Sequence, residues 1–161
     1  MSVAEFRVPP VVKVVTLRVA PARAFQLFAG ELARWWPLAQ FHTGPDPIDC
    51  AIEPQVGGRI YERSTDGSET MWGRVLAYEP PHRLAFSWLV GLSAEAEQRV
   101  EISFTAEGGG TRVELTHSGW EKLGEAAAAL RDRYDSGWGT LIERCFAPYA
   151  NAAIQGEGGL Q

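Results

Sequence analysis

Residues 123–149 read LGEAAAALRDRYDSGWGTLIERCFAPY. Leu130, Tyr134, Trp138, Leu141 with Ile142, Cys145 and Tyr149 recur at steps of three and four, the spacing of one face of an α-helix. Glu125, Arg131, Asp132, Arg133, Glu143 and Arg144 fall on the opposite face. This is the longest helical pattern in the chain, and it comes last, after a run of strands. An amphipathic helix has an apolar stripe to bury, and the sheet before it is the surface on offer. The pattern predicts a helix over 123–149 laid across a sheet, with Pro148 ending or kinking it. Whether that contact is solid core or encloses a cavity is the functional question.

Working back from the helix, the strands are short and regular. Residues 11–19 alternate and are β-branched. Pro21 stands where a helix begins without losing a hydrogen bond, Phe25, Leu27 and Phe28 supply its apolar face, and Gly30 ends it. Residues 31–36 form a second short helix, stopped at Pro37, and 38–47 a loop. Strands follow over 48–54, 59–64, 69–78, 83–89, 99–106 and 111–117. Gly57-Gly58, Asp66-Gly67, Pro80-Pro81 and Gly108-Gly109-Gly110 mark turns between them, and 91–96 is a connection. Leu84, Phe86 and Trp88 share one face with Val100, Ile102, Phe104, Val113 and Leu115. Arg99, Glu101, Ser103, Arg112, Glu114 and Thr116 take the other, as in an antiparallel sheet with one solvated side. The predicted class is α+β: a curved seven-stranded antiparallel sheet, two short helices after strand 1, and a long C-terminal helix over the concave face. Residues 1–10 read as a loose arm, 11–150 as a single domain and 151–161 as a flexible tail.

A chain of 161 residues suffices for one domain with a real core. A net charge of −5 without a basic stripe argues against a nucleic-acid binder. No window approaches the roughly 18 apolar residues of a membrane span. Cys50 and Cys145 are isolated, and residues 1–10 lack an apolar leader, so a cytoplasmic protein with reduced thiols is expected. The three histidines and two cysteines have no metal-ligand spacing, so neither metal nor cofactor is expected. No Gly-x-Ser-x-Gly elbow is present. Gly108-Gly109-Gly110 joins two strands instead of opening a helix, which excludes a phosphate loop there.

Four motifs occur in order: Val56-Gly57-Gly58-Arg59; Gly73-Arg74-Val75-Leu76; Pro80-Pro81-His82-Arg83-Leu84 with Phe86 and Trp88; and Gly137-Trp138 in the last helix. The set resembles the helix-grip START-like superfamily, also called SRPBCC, and within it the branch named after activators of the 90-kDa heat-shock protein ATPase. The resemblance covers about residues 11–150. It implies a cavity between sheet and last helix, used across the superfamily for lipids, polyketides, hormones and other apolar ligands.

Alternation and the helix face nominate the residues around such a cavity. Trp88, Phe86 and Phe104 point inward from strands, and Leu130, Tyr134 and Trp138 from the first half of the helix. Trp72, Trp36 and His42 complete the expected ligand-binding set, while Ile142, Cys145 and Phe146 are expected to pack. His117 continues the inward register of Val113 and Leu115, either as a buried neutral histidine or as a proton donor at the pocket edge. In residues 59–64 each face carries a charge. The family pattern is apolar at positions 60, 62 and 64, which places Glu62 inside, with a raised pKa and Arg74 or His117 as partner. The other arrangement is a surface ion pair near the strand end.

Three functions fit. The first is a cytoplasmic domain that binds an apolar or aromatic small molecule without catalysis. The second is a cyclase- or dehydratase-like enzyme with Glu62 and His117 as acid and base. The third is a protein-interaction or chaperone-accessory domain, its partner a chaperone or a second copy of the chain.

Overall fold

The computed structural model describes residues 8–90 and 97–158, with side chains to residue 153. Seven strands form one antiparallel sheet: β1 (Val11–Leu17), β2 (Pro47–Ile52), β3 (Arg59–Ser64), β4 (Glu69–Glu79), β5 (Arg83–Trp88), β6 (Gln98–Glu107) and β7 (Gly110–Ser118). Their order is β1-β7-β6-β5-β4-β3-β2, so β2 to β7 is a meander and β1 returns to pair with β7. Register brings one inward residue from each of five strands into line: Val11 faces His117, His117 faces Val100, Val100 faces Phe86, and Phe86 faces Val75. All five are buried. Register shifts occur in β2 near Pro47, between Ile60 and Tyr61, and between Val75 and Ala77. Such irregularities bend and twist a strand. They fall in the β2–β5 half, whose Trp72 and Trp88 line the cavity described below.

The short helices after β1 are α1 (Pro21–Phe25) and α2 (Leu32–Trp35), joined by a wider π-helical turn over Gln26–Gly30. Phe25, Leu27, Phe28, Leu32 and Trp35 all turn inward. They plug one end of the half-barrel. Phe25 lies 5.2 Å from Phe104, and Phe28 and Trp35 each lie 5.0 Å from Phe146 (ring centroids).

The C-terminal helix departs from its expected bounds at both ends. Residues 120–126 form a 3₁₀ segment, and α3 (Ala127–Gly139) begins only after Gly124, whose φ of 59° and ψ of −127° break a helix. Nor does Pro148 end it. A π-helical turn over Thr140–Phe146 precedes α4 (Ala147–Gly158), and Pro148 is the second residue of α4. The wider turn carries i→i+5 bonds, gives the pyrrolidine ring room and requires no donor from position 148.

The expected tail begins with regular structure. Residues 151–158 are helical, Ala150 is fully buried, and the Asn151 side-chain oxygen accepts the backbone N–H of Arg18 at 2.9 Å. Ala150 and Ala153 continue the apolar stripe onto the core. Of the expected N-terminal arm, Val8 packs on the core, and Pro9 and Pro10 accept hydrogen bonds from the Arg131 guanidinium. Residues 1–7, 91–96 and 159–161 lie outside the described part.

Candidate functional site

Between α3, the β3–β5 side of the sheet and the loop after α2 lies a cavity of about 320 Å³. Seven of the nine residues expected around it line it: Trp36, His42, Trp72, Trp88, Leu130, Tyr134 and Trp138. The other two do not. Phe104 is packed against Phe25 and Phe28 at the plugged end, and Phe86 is fully buried behind Trp88. Both point inward as alternation requires, but their neighbours fill the space in front of them.

Four tryptophans that contact one another in a closed circuit line the cavity. Centroid separations are 4.9 Å from Trp36 to Trp72, 6.0 Å from Trp72 to Trp88, 5.7 Å from Trp88 to Trp138 and 6.1 Å from Trp138 back to Trp36. Every indole N–H is held by a protein acceptor. Trp36 donates to the Phe41 carbonyl at 2.9 Å, Trp72 to Glu62 at 2.8 Å, Trp88 to the Tyr134 hydroxyl at 2.8 Å, and Trp138 to His117 Nδ1 at 2.9 Å. The indoles are thereby pinned by their polar edges and contribute apolar ring surface to the interior.

Two of the four acceptors are the charged and titratable groups that stand out in the sequence. Glu62 is fully buried. Its Oε1 accepts the Thr43 backbone N–H at 2.6 Å, the Thr43 hydroxyl at 2.8 Å and the Trp72 indole at 2.8 Å, and its Oε2 accepts the Gly44 N–H at 3.0 Å. Burial pushes its pKa up, but the hydrogen bonds from Thr43, Trp72 and Gly44 outweigh that and hold it below the ordinary carboxylate value. The expected rise, and the expected partners Arg74 or His117, are therefore corrected. Arg74 instead donates to the Gly57 carbonyl at 3.0 Å. Gly44 permits the arrangement: a Cβ there would stand 2.9 Å from the Thr70 hydroxyl and 3.3 Å from Glu62 Oε2.

His117 is fully buried at the other side of the tryptophan ring, stacked 4.3 Å from Trp120. An indole only donates, so Nδ1 of His117 is the unprotonated nitrogen and Nε2–H donates to Gln98 Oε1 at 2.6 Å. Burial lowers its pKa to about 3, and the ring is neutral. Glu62 and His117 both point inward, yet they do not meet and neither lines the cavity. Glu62's oxygens serve the Thr43-Gly44 loop and Trp72, and His117's nitrogens serve Trp138 and Gln98. This removes them as an acid–base pair.

The wall formed by the loop was missed in the sequence. Gln40, Phe41 and Thr43 line the cavity beside His42, and Val90, Arg133 and Leu141 close the rest. The signal was present but ambiguous: a polar loop with Phe41 and His42 between two aromatic segments, and Arg133 assigned to the solvent side of the helix. His42 sits exposed at the mouth, its Nδ1 2.8 Å from the Gly44 carbonyl. A carbonyl only accepts, so Nδ1 carries a proton there and Nε2 is the uncommitted nitrogen. Among the described residues no group of three or more His, Cys, Asp or Glu side chains is placed to hold a metal ion, and no helix is long and apolar enough to cross a membrane. Cys50 and Cys145 are both free.

A curved antiparallel sheet gripping a C-terminal helix, with an aromatic cavity between them, defines a START-like helix-grip domain. Residues 18–147 match the family described as Activator of Hsp90 ATPase homolog 1-like protein, and the chain belongs to that family. Among solved structures, it is 33% identical to an anthrahydroquino-Gama-pyrone synthase, Txn09, complexed with SUM, covering 81% of this chain and 89% of that one with a TM-score of 0.54. Protein BH1534 from Bacillus halodurans is 23% identical, with 84% and 92% of the two chains covered and a TM-score of 0.60. Protein MLL2253 from Mesorhizobium loti is 18% identical, with 83% and 91% covered and a TM-score of 0.61. These last two share the fold. No curated protein matches the chain.

Proposed function

We propose that this chain is a small-molecule-binding domain that encloses a planar, largely apolar ligand between the sheet and α3. The cluster of four mutually contacting tryptophans that lines the cavity carries this reading. Indole surfaces favour flat, polarisable rings, and about 320 Å³ is at the lower end of ligand pockets, a size that suits two or three fused rings. The likeness to Txn09, a synthase named for an anthrahydroquinone-pyrone product, points to the same kind of ligand. The free thiols suit a cytoplasmic setting.

That likeness also supports a second reading, in which the same cavity performs a cyclisation. Its polar groups would then be those that reach the cavity, Tyr134, His42 and Arg133. The test for both is a titration with a hydroxyanthraquinone and with 2-naphthol, followed by tryptophan fluorescence and thermal shift. A ligand at about 100 times its dissociation constant adds roughly 2.7 kcal/mol of stability. A flat response to both compounds would overturn the binding reading. Mass spectrometry of the recovered ligand separates the two readings: a binding domain returns it unchanged, an enzyme returns a product.

A further inference from the structure

The cavity has a polarity that its apolar walls conceal. With all four indole N–H groups held by protein acceptors, polar recognition falls to the few other groups that reach the interior. Tyr134 is one. Its hydroxyl oxygen already accepts from Trp88, which leaves its own proton to donate. Gln40, His42 and Thr43 also line it, but Arg133 is the one lysine or arginine, and there is no aspartate or glutamate, among the described lining residues. In a chain with a net charge of −5 this is a local reversal of sign.

The acidic residues beside Arg133 on α3 are engaged elsewhere. Asp132 lies 3.8 Å from Arg131, and Asp135 pairs with Lys13 at 3.3 Å. Among the described residues Arg133 makes no ion pair and no hydrogen bond, although other arginines of this chain, such as Arg59, Arg63, Arg83 and Arg99, are in ion pairs. A guanidinium at the edge of an apolar slot offers two parallel donors to a planar anion, the geometry in which arginine surpasses lysine.

Building on the binding reading above, we infer that the ligand is an aromatic carboxylate. Its rings lie among the tryptophans and its carboxylate meets Arg133 at the mouth, with the Tyr134 hydroxyl as a second donor. Trp36, Trp72 and Phe41 carry no charge and take ring surface.

Matched probes test this. 2-Naphthoate and 2-naphthamide share rings and shape and differ in charge. Tryptophan quenching should give a dissociation constant about tenfold lower for the naphthoate at low ionic strength, as expected of a charge-assisted contact. The ratio should shrink toward one in 0.5 M salt. In Arg133→Gln it should be about one, and in Arg133→Lys intermediate. Naphthamide binding with no preference for naphthoate, or a preference that survives Arg133→Gln, overturns this inference and leaves the binding reading standing. Failure of both probes to quench the wild-type tryptophans overturns both.

Discussion

The two ends of the interior are built from the same kind of side chain and come out differently. At the plugged end Phe25, Phe28, Trp35, Phe104 and Phe146 contact one another at 5.0–6.0 Å and fill the space. At the open end Trp36, Trp72, Trp88 and Trp138 contact one another at 4.9–6.1 Å and line a cavity. Spacing and chemistry of the rings are similar. The difference lies in what holds each ring. A phenylalanine has no polar edge and settles wherever contact is greatest, so a cluster of them closes on itself. The four tryptophans are each tied by an N–H to an acceptor, and two of those acceptors, Glu62 and His117, are buried groups that other hydrogen bonds fix in turn. An aromatic wall stays open where its polar edges are anchored.

The contrast is tested most severely at the plugged end. Phe146→Ala should cost about 3–5 kcal/mol of stability in urea denaturation, the range for a large buried aromatic, and the folded fraction should still bind 2-naphthol. Loss of binding there with little loss of stability would mean the two ends are not independent.

Next in size is Glu62→Gln. Four donors converge on the carboxylate, and an amide turns two of its own donors toward them, so about 2–3 kcal/mol should be lost. The acid limb of the stability profile should change as well. Because the folded carboxyl titrates below its ordinary value of 4.5, its contribution is complete above pH 4.5 and disappears as pH falls through the lower folded value. Glu62→Gln should lack that limb. The same acid limb in the variant and wild type would show that another carboxyl is responsible.

His117 titrates in a different window. Its folded pKa of about 3 lies below the ordinary 6.5, so the unfolded chain takes up the proton first. Stability should fall as pH drops below 6.5 and level off near 3, by about 1 kcal/mol between pH 6 and 5 for one proton. His117→Asn should flatten this slope, and denaturant midpoints at several pH values would read it.

The smallest effect is expected from Tyr134→Phe. It removes the acceptor of the Trp88 indole, costs about 1 kcal/mol and weakens naphthoate binding a few-fold. An equal loss of affinity in Ile142→Ala, a fully buried packing residue, would place the cavity at the wrong end of the helix.

Much of this was readable from residue order. Alternation placed the inward faces of β5, β6 and β7, and the three-and-four spacing found the helix that crosses them. The family pattern put Glu62 inside, and so it is. What residue order left open was the company each inward group keeps. The partner of Glu62 is a loop eighteen and nineteen residues upstream, and Thr43 and Gly44 carry no mark that distinguishes them from any turn. Arg133 read as solvent-facing because helical periodicity assigns a side, and a side at the mouth of a cavity belongs to both. Phe86 and Phe104 share the inward face with Trp88, and only their positions along the curved sheet decide which of them meets empty space.

The amino-acid sequence alone determined the local geometry of this protein, because strand pairing and helix formation depend on patterns a few residues long. It also determined that the interior would be aromatic, and left Glu62 open between that interior and a surface ion pair. The tertiary structure decided where the interior stays open and what polarity it presents. Those depend on contacts between segments distant in the chain: the loop on Glu62, α3 on His117, and a bend in the sheet set by three breaks in register. Buried hydrogen bonds fix the four tryptophans that line the cavity; the one from Trp36 to Phe41 is local, and the other three join different elements of the fold.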